Sequence, residues 1–251
     1  MYDPPGFLWA LTIAGMIAIP AVTCVVLYGG AVRAGLRRQR AALLAGGAAV
    51  VLGSWFTASA VIAGHGWYHA RLGHGVPWLP VAVVGFLGLL LALRRIPVVA
   101  RALTAPGMAS RLELPHTFRV IEGTAFLATR FLGHLPALFA LPAGLGDIAA
   151  GIAAPLVARR LAQGTGRRAA LWFTAFGTTD LVNALTLGAL TGFALINVTP
   201  SGAPISELPL ALIPTAAVPL LLALHITSVS ALRRAHRAPL PATAPLTAAA
   251  R

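Results

Sequence analysis

FALPAGLGDIAAG, residues 139–151, is composed for hydrocarbon, yet it carries Asp147 near its middle, just after a proline and two glycines. A charge at the centre of a bilayer costs roughly 2.5–3.5 kcal/mol on insertion scales, so an acid placed there faces a bundle interior, finds a partner and marks a pathway or site. What surrounds the stretch decides whether it lies in a bilayer. The 251-residue chain is 58% hydrophobic and 10% charged, against about 25% charged for a soluble domain. Its mean hydropathy is +0.83. The sequence reads as an integral membrane protein.

A helix rises 1.5 Å per residue and needs about 20 apolar residues to cross a core of roughly 30 Å. Outward from residues 139–151, the chain offers seven such runs: Phe7–Val32, Ala41–Gly64, Pro77–Leu93, Thr117–Leu135, Ala137–Ala158, Ala169–Ile196 and Leu208–Leu232. Only GHLP, residues 133–136, separates the fourth from the fifth. Together they are too long for one crossing, and Pro136 supplies the break. Ile96–Leu114 is too short and too charged to span and is expected along the cytoplasmic surface. The Pro/Ala/Thr-rich stretch 238–251 lacks an apolar face and is expected to be a disordered cytoplasmic tail, leaving residues 1–237 as one all-α, seven-helix transmembrane domain.

The formal charge is +13 and the pI about 11.9. The basic residues lie in short clusters between apolar runs, which points to membrane topology rather than to nucleic acid. Arg33, Arg37, Arg38 and Arg40 follow the first run; Arg94, Arg95, Arg101, Arg111 and Arg119 the third; Arg159, Arg160, Arg167 and Arg168 the fifth; Arg233, Arg234, Arg237 and Arg251 the seventh. The opposite connections hold only Arg71. The positive-inside rule then sets the N-terminus outside and the C-terminus in the cytoplasm, as in a bacterial inner membrane protein. Trp9, Trp67, Tyr68 and Trp78 suit the external interface as aromatic anchors. The absence of lysine excludes a Schiff base, and the single Cys24 excludes an intrachain disulfide. MYDPPGF has no basic n-region, so the first run is expected to be mature structure.

Glu122, Asp147 and Asp180 are the acids that fall within runs. Counting from the ends of their runs sets Asp147 and Asp180 about 15 Å deep, in one layer. Asn183 follows Asp180 on the same helical face. In the fourth run Arg119, Glu122, Phe126, Arg130 and His134 recur at spacings of three or four, a polar stripe. Arg119 is expected to pair with Glu122 near the cytoplasmic surface. Arg130 has no acid on its own helix within reach, so its planar guanidinium is expected to bond Asp147, Asp180 or both. Pro142, Gly144 and Gly146 are expected to weaken the turn beside Asp147 and free carbonyls to line a cavity. A layer of Arg130, Asp147, Asp180, Asn183 and Glu122 suits binding or transport of a small solute or ion; a static interhelical ion pair is the structural alternative.

FRVIEGTAFLATRFLGHLPALFALPAGLGD (118–147), with TTDLVNALTLG (178–188) and IPTAAVPLLLALH (213–225), resembles a set of uncharacterised bacterial multi-span proteins sharing an ALPAG-x-GD core. The likeness covers Thr117 to Arg234 and implies membrane localisation.

Histidines form a second constellation. His65 and His69 stand four apart in GHGWYHARLGH, with His74 beyond them and His134 ending the fourth run at a similar level. Such imidazoles suit an open transition-metal site, or a b-type haem held by His65 or His69 with His134. Either would make an electron-transfer protein, and a membrane sensor or assembly partner is a third class. Ser59 with His65 and His69 partly resembles the serine and histidine set of seven-span intramembrane hydrolases. Those enzymes also need histidines near the end of the last helix, where this chain has only His225, with Ser228 three residues on as for interhelical hydrogen bonding. No Walker loop, dinucleotide fingerprint or zinc-ribbon spacing is present, so no motif names an enzyme or a cofactor.

Overall fold

The computed structural model describes residues 3–69 and 76–237. Arg71, His74 and the tail 238–251 lie outside the described residues. The fold is all-α. In chain order it comprises α1 (Gly6–Arg33), α2 (Arg38–Gly64), α3 (Trp78–Leu93), α4 (Pro97–Leu103), α5 (Met108–Arg111), a 3-10 turn (Leu114–Phe118), α6 (Arg119–Phe131), α7 (Ala137–Ala162) and α8 (Arg167–Gly192). A second 3-10 turn (Ala203–Ser206) and a π turn (Ile213–Ala217) lead into α9 (Val218–Arg237).

Among the described residues, four helices are long and apolar enough to cross a membrane: α1, α2, α7 and the stretch Ile213–Arg233. A fifth is gained if α3 and α4, bent by 89° to one another, count as one span. α6 has only 13 residues, about 20 Å of helix. α8 has the length but carries Arg167, Arg168, Asp180 and several threonines. The chain is therefore a helical protein whose long hydrophobic helices are consistent with a membrane protein.

The centre of the molecule is the last helix. In the apolar window of Ile213–Arg233, 78% of residues are buried, against 11% in α2. The sequence shows why: residues 208–224 are apolar on every side apart from Thr215, as suits a helix surrounded by others, and α2 is left facing outward. Pro219 has no N–H to offer the carbonyl of Thr215 four residues before it. Trp55 of α2 supplies the missing donor, its Nε1 lying 2.9 Å from that oxygen.

α6 and α7 pack almost backbone to backbone. A Cβ on Gly123 would press on the Gly144 carbonyl and come within 2.9 Å of Asp147 Cβ, and one on Gly151 would lie 2.5 Å from Val120 Cγ2. α7 runs unbroken through Pro142 and Pro155. The expected unwinding beside Asp147 does not occur; the glycines of this helix serve close approach.

Candidate functional site

Glu113, His116, Arg119 and Glu122 are spaced by three, from just ahead of the first 3-10 turn into α6. In a 3-10 turn residues three apart eclipse one another, and in an α-helix they share a face. The four side chains thus form one column, and each is fully buried, at 0% exposure. Its ends are fixed by α1. Glu122 lies against Gly15, and Met108 at the start of α5 lies against Gly30, so the column runs antiparallel to α1.

Arg119 is its cation. Its Nε donates to Asp147 Oδ1 of α7 at 2.7 Å, and its Nη2 donates to Asp180 Oδ2 of α8. Two glycines make the room. A Cβ on Gly146 would collide with the Asp180 carboxylate, its Cγ lying 2.5 Å away. One on Gly177 would collide with the His225 ring and lie 3.1 Å from Arg119 Nη1. Nη1 itself has no hydrogen-bond partner, and neither has either carboxylate oxygen of Glu122.

The aspartates come together as the depth count expects, but with Arg119 and not with Arg130. Arg130 lies in the last turn of α6, half-buried, where a cation suits the negative end of the helix dipole. The expected Arg119–Glu122 pair is absent as well. Both differences have one cause. The chain enters the bundle through α5 and the 3-10 turn, ahead of Thr117, so Arg119 already lies at the depth of Asp147 and not at a surface. Asn183 is half-buried, one turn beyond Asp180.

Below Arg119 in the column is a second cluster. The ligating atoms of Glu113, His116 and His225 all lie within 4.8 Å of one another, and all three residues are buried. The two imidazoles stack with ring centroids 3.9 Å apart and planes 25° from parallel. Phe173 of α8 closes the side of the stack, 5.7 Å from the His116 ring and 5.5 Å from the His225 ring. Ser228 Oγ donates to Glu113 Oε1 at 2.5 Å. Glu113 Oε2 and all four ring nitrogens of the two histidines have no partner. Glu113 precedes the 3-10 turn and lies outside the segments fit to span. Burial pushes the Glu113 carboxyl up to about 7, against the lowering by Ser228.

The sequence pattern that carries this cluster is Glu-x-x-His-x-x-Arg-x-x-Glu, residues 113–122. Pro115 and the charge of the preceding segment disguise it as a surface connection. The interhelical hydrogen bond expected of His225 is absent, both its ring nitrogens lacking a partner, and Ser228 donates instead to Glu113.

Among the described histidines, His65, His69 and His134 stay apart from it. His65 is exposed, with Nδ1 2.8 Å from the Val61 carbonyl. His69 Nε2 faces Glu207 at 3.5 Å. His134 is exposed at the end of α6. Among the described residues, the group of three that converges as a metal site would is Glu113, His116 and His225, and not these. Ser59 is no isolated nucleophile: its hydroxyl lies 2.6 Å from Thr215 Oγ1 and 3.0 Å from Tyr68 Oη.

A small cavity, about 40 Å³, reaches Asp147. It follows α8 from Leu181 to Phe193 and is walled mostly by apolar groups, among them Phe126, Phe139 and Ile205, with Ser206 near the far end.

Residues 76–233 match a family described as a domain of unknown function, DUF8737. The chain belongs to that family. No curated protein and no solved structure matches it. The DUF8737 match begins just ahead of α3 and ends within α9, so it takes in every residue of both buried clusters and leaves α1 and α2 outside.

Proposed function

We propose that the chain is a bacterial cytoplasmic membrane protein with seven crossings, N-terminus outside and C-terminus inside, that binds a small monovalent cation, a proton first of all, at Glu122. The arginine clusters at alternate connections support the topology. Here α6, with the 3-10 turn before it, is the fourth crossing and α8 the sixth. The ALPAG-x-GD core is the device that brings Asp147 and, across Gly146, Asp180 to the same guanidinium. Asn183 borders the layer, and Arg119 takes the place expected of Arg130.

The observation that carries the reading is Glu122: a carboxyl at 0% exposure with neither oxygen hydrogen-bonded, in a layer where Asp147 and Asp180 already occupy Arg119. A buried carboxylate left without a partner is costly, so such a group takes up a proton or a cation. The cavity that reaches Asp147 supports an entry route along α8.

The test is infrared difference spectroscopy of purified protein between mildly acidic and mildly alkaline buffer. Wild type should show a protonated-carboxyl band that Glu122→Gln removes. Proteoliposomes carrying an internal pH dye should acidify under an imposed potential, and Glu122→Gln should slow this roughly tenfold or more. A Glu122→Gln protein that keeps the full band and the full proton flux would contradict the assignment.

A further inference from the structure

We propose that Glu113, His116 and His225 form a binding site for one divalent first-row transition-metal ion. Two imidazoles and one carboxylate are a donor set that zinc, iron, manganese and cobalt share. The chain's one thiol, Cys24, is not among the converging donors, so nothing here selects copper(I) or an iron–sulfur group.

Three observations carry the site. First, the donors converge. With metal–ligand bonds near 2.1 Å, ligand atoms in a tetrahedral site stand about 3.4 Å apart. The present spread, at most 4.8 Å, exceeds that separation by no more than about 1.4 Å. Second, the donors are idle. Glu113 Oε2 and four imidazole nitrogens are buried with no hydrogen-bond partner, whereas buried polar atoms are nearly always paired. Third, the carboxylate is already aimed. Ser228 holds Oε1 and leaves Oε2 without a partner, the outer-shell arrangement by which metal ligands are oriented.

Electrostatics favour a dication. The buried column and its partners set four carboxyl groups, Glu113, Glu122, Asp147 and Asp180, against the one guanidinium of Arg119. That guanidinium is engaged by the two aspartates and repels a metal less than a free cation would. Gly177 keeps the space beside the His225 ring open, since any side chain there would collide with it. Three protein ligands leave at least one position for water or an anion, as in open sites and unlike closed structural ones.

The site shares no residue with the Glu122 reading, so each can fail alone. Metal-free protein in detergent is titrated with Co2+, read by its visible ligand-field absorption, and then with Zn2+ in competition. Wild type should bind about one equivalent, and Glu113→Gln, His116→Gln or His225→Gln should each weaken binding by at least roughly tenfold. The double variant His65→Ala with His69→Ala should bind as wild type does. Should a triad variant fail to fold, Ser228→Ala decides, with an expected loss of about 10–100-fold. Wild type that binds no metal, triad variants that keep full affinity, unchanged affinity in Ser228→Ala, or loss of binding in the His65/His69 variant would each overturn the proposal.

Discussion

Arg119 and His225 are both fully buried, and both sit beside Gly177. Arg119 is engaged twice, by Asp147 and by Asp180. His225 is engaged by nothing polar: its nitrogens, those of His116 and the second oxygen of Glu113 are all without partners. One region of the column is charged and largely closed upon itself. The other is furnished with ligands and closed only by a stack of rings. Pairing explains the presence of Asp147 and Asp180 without any function, so the residues that call for a ligand are those that pairing leaves over, Glu122 at one end and the Glu113, His116 and His225 group at the other.

The largest effect should come from the closed region. Arg119→Ala strands two buried carboxylates and should cost about 3–5 kcal/mol of stability, or force them to take up protons. Thermal melting in detergent checks this, and Arg130→Ala, at a half-buried helix end, should cost no more than about 1 kcal/mol. A larger loss for Arg130→Ala would break the comparison at its first term.

Next in size is Gly146→Ala. Its methyl group would enter the space of the Asp180 carboxylate, and such overpacking costs about 1–3 kcal/mol. The loss should shrink when Asp180→Ala is added, since the collision then disappears. A loss that persists unchanged in the double variant would mean that Gly146 matters for something other than Asp180.

The smallest effect on stability is expected in the open region. His225→Leu removes two unpaired polar atoms from a buried site, so in metal-free protein it should change stability by less than about 1 kcal/mol in either direction. With Zn2+ present, wild type should gain stability by ligand linkage and the variant should not. Equal melting temperatures for the two proteins with and without Zn2+ would remove the contrast between the regions.

Composition and run length made the membrane helices legible, because those properties depend on local sequence alone. α1, α2 and α7 follow the apolar runs closely. The meeting of Asp147 with Asp180 was legible too, since both sit at a countable depth in long regular helices. Arg119 was not. Its depth depends on where the chain enters the bundle, and the entry is made by a four-residue helix and a 3-10 turn that no 18-residue window of hydropathy detects. The same short elements hid Glu113 and His116, whose spacing of three is a 3-10 signature interrupted by a proline. The role of Gly146 belongs to tertiary approach, because the group it admits comes from residue 180 on another helix.

The central claim is that Arg119, and not Arg130, is the cation of the layer. A double-mutant cycle on stability, Arg119→Ala with Asp147→Asn beside Arg130→Ala with Asp147→Asn, measures it directly. The first cycle should give a coupling energy well above the roughly 0.3–0.5 kcal/mol scatter of independent sites, and the second should fall within that scatter. Coupling in the second cycle and none in the first would contradict the account.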